Sequence, residues 1–159
     1  MPLRMLAVRM SIGDVVGSDV LISEALTALL ADVDTPSLRV LAGLTRAEEP
    51  EAHDLFRAVI DELSLSRELP PDPRAARWEL IRWWCSEMVT GNLPPEVAGD
   101  LIWREGWNEL GYPDSLQPIV GWTSEWEDWT PAWGNERDEY RDKIVAEARV
   151  LLNGPWPPD

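Results

Sequence analysis

Four kinds of side chain are nearly missing from this 159-residue chain: it has one cysteine, one histidine, one lysine and one phenylalanine. With Cys85 alone no internal disulfide can form, and Cys85 with His53 is too small a set for a structural zinc site, which wants four such ligands. Positive charge is scarce too, with 14 Lys and Arg against 29 Asp and Glu, a net charge of −15. The 13 arginines and Lys143 are scattered, and Arg74 and Arg77 are the nearest approach to a pair on one helical face. A nucleic-acid backbone needs a basic stripe, and an anionic membrane surface repels this sign of charge, so both are excluded as partners. No apolar run approaches the ~20 residues of a membrane span. Phosphate loops, dinucleotide-binding glycine patterns, nucleophile elbows, repeats and low-complexity tracts are also missing. What remains is a compact acidic globule, expected in the cytoplasm, with no cofactor or metal implied. Basic proteins, cations and neutral ligands are the partners its charge allows.

What is present is helical periodicity, with no strand-like alternation between turn signals. The expected fold is all-α, an irregular antiparallel bundle of about six to seven helices in two packed halves. Residues 1–18 read as a flexible leader: Arg9 and Gly13-Asp14 interrupt any signal-peptide core, and Met10 is an alternative start. A helix over about Asp19–Val33 places Leu21, Ile22, Ala25, Leu26, Leu29, Leu30 and Val33 on one half of its wheel. Thr35-Pro36 caps a short second helix ending near Gly43. Thr45 to Glu48 has capping-box spacing before a third, about Glu49–Leu65, with Leu55, Phe56, Val59, Ile60 and Leu63 inward and His53 at the border. Residues 69–73, Leu-Pro-Pro-Asp-Pro, form a stiff connector between subdomains 19–68 and 74–154. A fourth helix, Pro73–Thr90, stops at Gly91, and a fifth, Pro95–Leu110, at Gly111. A shorter piece over Asp114–Thr123 is interrupted at Pro118, with Ser124–Glu127 capping another turn. Asn135 caps the last helix, whose stripe is Tyr140, Ile144, Val145, Ala148, Leu151 and Leu152, with Glu139 and Lys143 paired outside. Residues 155–159 are a tail.

The distinctive feature is a block of tryptophan and carboxylate. Nine of ten Trp lie between positions 78 and 133, together with ten carboxylates and only Arg82 and Arg104 as cations. On the fourth helix Trp78, Ile81, Trp84, Cys85, Met88 and Val89 share an arc, leaving Trp83 among Glu79, Ser86, Glu87 and Thr90. On the fifth, Gly99 and Gly106 sit at the centre of an arc of Ala98, Ile102, Trp103, Trp107 and Leu110, which implies close packing against a neighbour. Helical spacing would stack Trp122, Trp126 and Trp129 beside Glu125, Glu127 and Asp128. As core residues these indoles would each bond a carbonyl or carboxylate; as a surface they suit an Arg, Lys or quaternary ammonium group. The candidate partner-binding residues are Trp83, Glu87, Glu125, Trp126, Glu127, Asp128, Trp129 and Trp133.

Catalytic constellations are thin. Cys85 falls on an apolar arc, where burial raises a thiol pKa, so it reads as a small hydrophobe rather than a nucleophile served by His53. Glu105 with Glu109, or Glu125 with Asp128, has the spacing of a carboxylate pair, as a glycosidase would use beside Trp platforms. Chance supplies many such pairs among 29 acids. Glu125, Glu127 and Asp128 lack the spacing of a calcium loop.

The runs Ile102-Trp103-Arg104-Glu105, Leu110-Gly111-Tyr112-Pro113, Ser124-Glu125-Trp126-Glu127-Asp128 and Thr35–Leu44 resemble those of uncharacterised small helical proteins from high-GC bacteria. The resemblance implies a helical fold over residues 20–152 and carries no activity or site residues. Two function classes stand: an acidic, Trp-rich binding protein for a basic partner, immunity-like or regulatory, and a small hydrolase or carbohydrate-binding enzyme with a carboxylate pair.

Overall fold

The computed structural model describes residues 2–134 and 136–158, which form α-helices linked by short 3₁₀ turns and contain no strand. The chain divides into two compact units, Met1–Ala76 and Arg77–Asp159, with the division one turn inside the fourth predicted helix.

The first unit holds α1 (Leu3–Ser11), α2 (Ser18–Leu30), α3 (Pro36–Ala42) and α4 (Ala52–Glu62). Its core gathers Leu6, Leu21, Ala25, Leu38, Leu41, Phe56 and Val59. The expected flexible leader is corrected here: residues 3–11 are helical, and Leu3, Met5, Leu6, Ala7 and Val8 are buried. The spacing of Leu3, Leu6, Ala7 and Met10 is a helical stripe, and Arg9 leaves it by pointing its guanidinium at Asp14, 3.4 Å away. Conversely, α2 buries less than its wheel suggests. Leu21 and Ala25 are sealed, whereas Leu26 and Leu30 are exposed, because the elements packed on α2 cover only a narrow arc.

Caps fall where turn chemistry requires. Thr35 Oγ1 accepts the Leu38 N–H at 3.3 Å, with Pro36 in the first turn of α3. Glu62 on α4 also serves that end, accepting the Ser37 N–H at 3.1 Å and the Ser37 hydroxyl at 2.7 Å. The Thr35 and Ser37 donors hold the Glu62 carboxyl below its ordinary range. Glu48 reaches back to the Thr45 N–H at 2.9 Å, half of a capping box, ahead of a 3₁₀ turn at Glu49–Glu51. His53 Nε2 is engaged by the Val16 carbonyl at 2.8 Å, so it donates there as a satisfied border histidine.

In the second unit, α5 (Pro73–Thr90) starts with Asp72 accepting the Ala75 N–H at 2.8 Å and ends at Gly91, whose φ of +80° only glycine adopts without strain. Trp78, Ile81, Trp84, Cys85 and Met88 are buried, as their arc predicts, and so is Leu80. Burial pushes the Cys85 thiol up to about 12, so it stays protonated and inert.

The fifth predicted helix is two pieces, α6 (Pro95–Leu101) and a π-helical segment, Ile102–Trp107. The wider turn breaks the single arc expected of this stretch. Ala98, Gly99, Ile102, Gly106 and Leu110 are buried, while Trp103 and Trp107 are only half-buried. Both glycines sit where a side chain would not fit. A Cβ at Gly106 would lie 2.9 Å from Ile81 on α5, and one at Gly99 would collide with the Thr123 hydroxyl.

Pro118 does not interrupt anything: it occupies the first turn of one continuous helix, α7 (Gln117–Asp128), where its missing N–H costs nothing, and Ser124 is mid-helix rather than a cap. The last helix is α8 (Asp138–Asn153), burying Tyr140, Ile144, Ala148 and Leu151. The cap expected at Asn135 lies outside the described residues. The tail is anchored, since Trp156 meets Trp78 edge-on at 5.9 Å under the Arg82 guanidinium. Among the described residues no helix is long and apolar enough to cross a membrane.

The Gly99 contact sets the spacing of α6 and α7. Alanine there gains about 1 kcal/mol of helix propensity but overpacks against Thr123 by about 1–3 kcal/mol, so Gly99→Ala is expected to lose up to about 2 kcal/mol in urea denaturation. Adding Thr123→Ala, which removes the colliding atoms, should recover most of that loss; additive losses would disprove the contact.

Candidate functional site

The tryptophan and carboxylate block converges where α7 meets α8. Trp122 and Trp126, one turn apart on α7, turn their rings toward α8. There the chain supplies the cations that the block itself lacks. The Arg137 guanidinium lies 3.8 Å from the Trp126 ring centroid, and its Nε donates to the Trp126 carbonyl at 3.1 Å. Arg141 approaches the same ring at 5.6 Å, and the Lys143 ammonium sits 4.3 Å from the Trp122 centroid and 5.1 Å from Tyr140. Lys143, expected beside Glu139, is thus drawn to the aromatic surface. Such contacts contribute about 0.5–1 kcal/mol when exposed and ~2 when desolvated.

Arg141 extends the network to α6. It donates to both Glu96 carboxylate oxygens, at 2.9 and 2.7 Å, and to Asp138 at 2.7 Å. Burial alone would raise the Glu96 pKa, but the Arg141 guanidinium outweighs it and holds the carboxyl below its usual value. Arg104, whose guanidinium is paired with Asp100, reaches Glu127 on α7 at 3.5 Å.

The predicted partner-binding residues divide accordingly. Trp126 is half-buried and already stacked on a cation of the chain. Trp129, at the residue that ends α7, is half-buried and engaged. Trp133 is the exposed one, at 46 %, with one edge toward Tyr140 at 6.3 Å. Glu125, Glu127 and Asp128 are exposed on the last turns of α7. Trp83 and Glu87 are half-buried on α5 and are not brought to this cluster by any described contact.

Exposed acids flank Trp133 along the chain. Glu125, Glu127, Asp128, Glu136, Asp138, Glu139 and Asp142 all face solvent. Asp138 and Glu127 are paired as above, while Glu125, Asp128, Glu136, Glu139 and Asp142 carry no side-chain partner among the described residues. Arg137 and Arg141, the cations within that run, are committed to Trp126 and Glu96.

The expectation that each core indole N–H finds an acceptor is corrected. Those of Trp84, Trp107 and Trp126 are buried and unpaired. Each costs about 1–3 kcal/mol, which the large apolar area of a buried ring can outweigh.

Catalytic features do not converge. Glu105 lies in the π-helical segment and Glu109 beyond it is exposed, so their i, i+4 relation is not that of a regular helix. The carboxyls that shift clearly, Asp34, Glu48, Glu62 and Glu96, all move down, opposite to a general acid. No metal-binding cluster occurs among the described residues. The first unit contains a cavity of about 550 Å³, lined by Leu3, Ala28, Val33, Leu63 and Leu65 with Glu24 beside them. It is aliphatic, without converging polar groups to orient a reactant.

The sequence pattern did not reveal Arg137, Arg141 and Lys143 as partners of the tryptophans. They fall just outside the Trp-rich stretch, and only the pairing of α7 with α8 brings them in. The chain matches no protein-family model, no curated protein and no solved structure.

Two measurements check this geometry. Neutral acrylamide, which the negative surface does not repel as it would iodide, should quench one readily accessible tryptophan, and Trp133→Phe should remove that component while Trp126→Phe leaves it. The Glu96–Arg141 pair titrates below the ordinary Glu value of 4.5, so its contribution is complete above that value and is lost as pH falls through the folded pKa. Glu96→Gln is therefore expected to cost about 1 kcal/mol at pH 7, the upper range for a partly exposed pair, and progressively less as the pH is lowered below 4.5 in parallel thermal melts.

Proposed function

We propose that this is a non-catalytic binding protein that engages a basic partner protein through the acidic surface formed by the end of α7, residues 129–134 and the start of α8. One observation carries the reading: Trp133 stands exposed in a stretch where Glu125, Asp128, Glu136, Glu139 and Asp142 have no side-chain partner among the described residues, while Arg137 stacks on Trp126 and Arg141 is shared by Glu96 and Asp138. An exposed indole in an acidic stretch suits a cationic, partly apolar protein surface: the aromatic supplies a hot-spot anchor, and the charges steer the encounter and set its register. The most economical place for a regulatory or immunity-like contact is therefore Trp133 with Glu125 and Asp128, and Glu127 contributes through its pairing with Arg104. Trp126 and Trp129 act behind that surface as its support.

Because Trp126 stacks on Arg137, its removal would disturb the α7–α8 junction itself, and Trp133 is the cleaner site to test. Calorimetric titration with a ten-residue peptide alternating Arg and Ser should show binding that weakens steeply between 50 and 200 mM salt. Its citrulline counterpart, which has no charge, should not bind. Trp133→Ala combined with Asp128→Asn should weaken binding by about tenfold, the loss expected for one aromatic anchor and one charge. Equal affinity of this variant and the native chain would reject the assignment of the face.

A further inference from the structure

The face shares Glu125 with a groove of about 300 Å³ on the same side of α7, lined by Gln117, Pro118, Gly121, Trp122, Glu125 and, from α8, Glu147. Three features define what this groove can hold. First, it is open at Gly121, where a built Cβ would meet no atom within 4 Å, so the missing side chain leaves space rather than permitting a close helix contact. Second, Trp122 is half-buried, and the Lys143 ammonium 4.3 Å from its ring centroid shows that this indole already attracts positive charge. Third, Glu125 and Glu147 approach the groove from two different helices, and neither carboxylate has an ion pair or hydrogen bond among the described residues.

We infer that this groove is the seat of an arginine side chain donated by the basic partner, an inference that rests on the binding reading above and names the chemistry of its specific subsite. A planar guanidinium stacks on an indole and still directs N–H donors sideways to two carboxylates, and its aliphatic stem lies against apolar atoms such as the Pro118 ring. A lysine ammonium is a compact, strongly hydrated charge that cannot stack and fork at once, so the groove discriminates in favour of arginine. Gln117 is a further polar residue of the groove lining.

The test uses the full chain and argininamide, lysinamide and citrullinamide as probes. Binding is read from the Trp122 indole N–H signal in nuclear magnetic resonance spectra, identified by its loss in Trp122→Phe. Argininamide should shift that signal saturably, lysinamide at least about threefold more weakly, and citrullinamide not at all. Gly121→Leu, which fills the open space, and the isosteric pair Glu125→Gln with Glu147→Gln, which removes the charge, should each weaken argininamide by roughly tenfold with unchanged circular dichroism. The second variant keeps the test decisive if leucine disturbs the helix. A silent Trp122 signal, equal response to citrullinamide or lysinamide, or undiminished affinity in the charge-removed variant would overturn the proposal. If the arginine peptide still binds through Trp133 while Trp122 stays silent, the groove is wrong and the basic-partner reading survives. If argininamide titrates Trp122 but no cationic peptide binds, the groove stands and the broader reading falls.

Discussion

Stacking of α8 cations on α7 indoles is the interaction that organises the second unit. A stretch with nine tryptophans and two arginines cannot satisfy its own π faces, and Arg137, Arg141 and Lys143 supply what it lacks. At about 0.5–1 kcal/mol each, these contacts are together a substantial part of the marginal stability of a small domain. They also have direction. Because Arg137 binds both the ring and the carbonyl of Trp126, the end of α7 is fixed to the start of α8, and the intervening turn is left to carry Trp133 outward. Arg141 passes the same constraint to α6 by holding Glu96 in a forked pair. Three helices are thereby registered by two arginines.

Glycine sets the other dimension of the same unit. Gly99 lets α6 approach α7 until Thr123 fills the space of a missing Cβ, and Gly106 lets the π-helical segment rest on Ile81 of α5. The π turn inserts an offset between these two contacts. Without it, Trp103 and Trp107 would follow the glycines into the interior; with it, both rings are half-exposed, and Arg104 beside Trp103 is free to reach Asp100 and Glu127. A local departure from helical geometry thus decides which tryptophans build the core and which border the surface.

Much of this architecture was legible in residue order. The all-α class, the Thr35 cap, the start of α5 at Pro73 and its stop at Gly91 follow from periodicity and turn chemistry that act over a few residues, and the structure has each of them. The misses have a common origin in tertiary context. The first eighteen residues read as a leader because Arg9 and Gly13 obscure a stripe that only the neighbouring helices make worth burying. Leu26 and Leu30 lie on an apolar half-wheel yet face solvent, because no described element covers them. Pro118 has two local readings, break or first turn, and the 3₁₀ turn at Asp114–Leu116 selects the second. The exposure of Trp133 was legible only as one candidate among four. What separates it from Trp126 is the position of Arg137, eleven residues further along, and no spacing rule reaches across that turn.

The distribution of charge then argues for something outside the chain. A fold has two inexpensive ways to handle seven carboxylates within eighteen residues: disperse them by helix phase, or pair them with cations from neighbouring elements. Here they all face solvent, only Asp138 and Glu127 have a cationic partner among the described residues, Arg141 is shared between Asp138 and Glu96, and Arg137 is stacked on Trp126. At physiological ionic strength, charges within about 8 Å still repel one another, so this arrangement costs stability that a simple exchange of partners would recover. The exposed Trp133 indole in the same stretch adds a second cost, apolar area left in water. Both costs vanish together when a cationic side chain carrying apolar atoms covers the site, and the open groove at Gly121 provides a second place of the same chemistry one turn away. Unpaired charge, an exposed aromatic ring and vacant volume on α7, α8 and the segment between them are the features on which the proposed binding face rests.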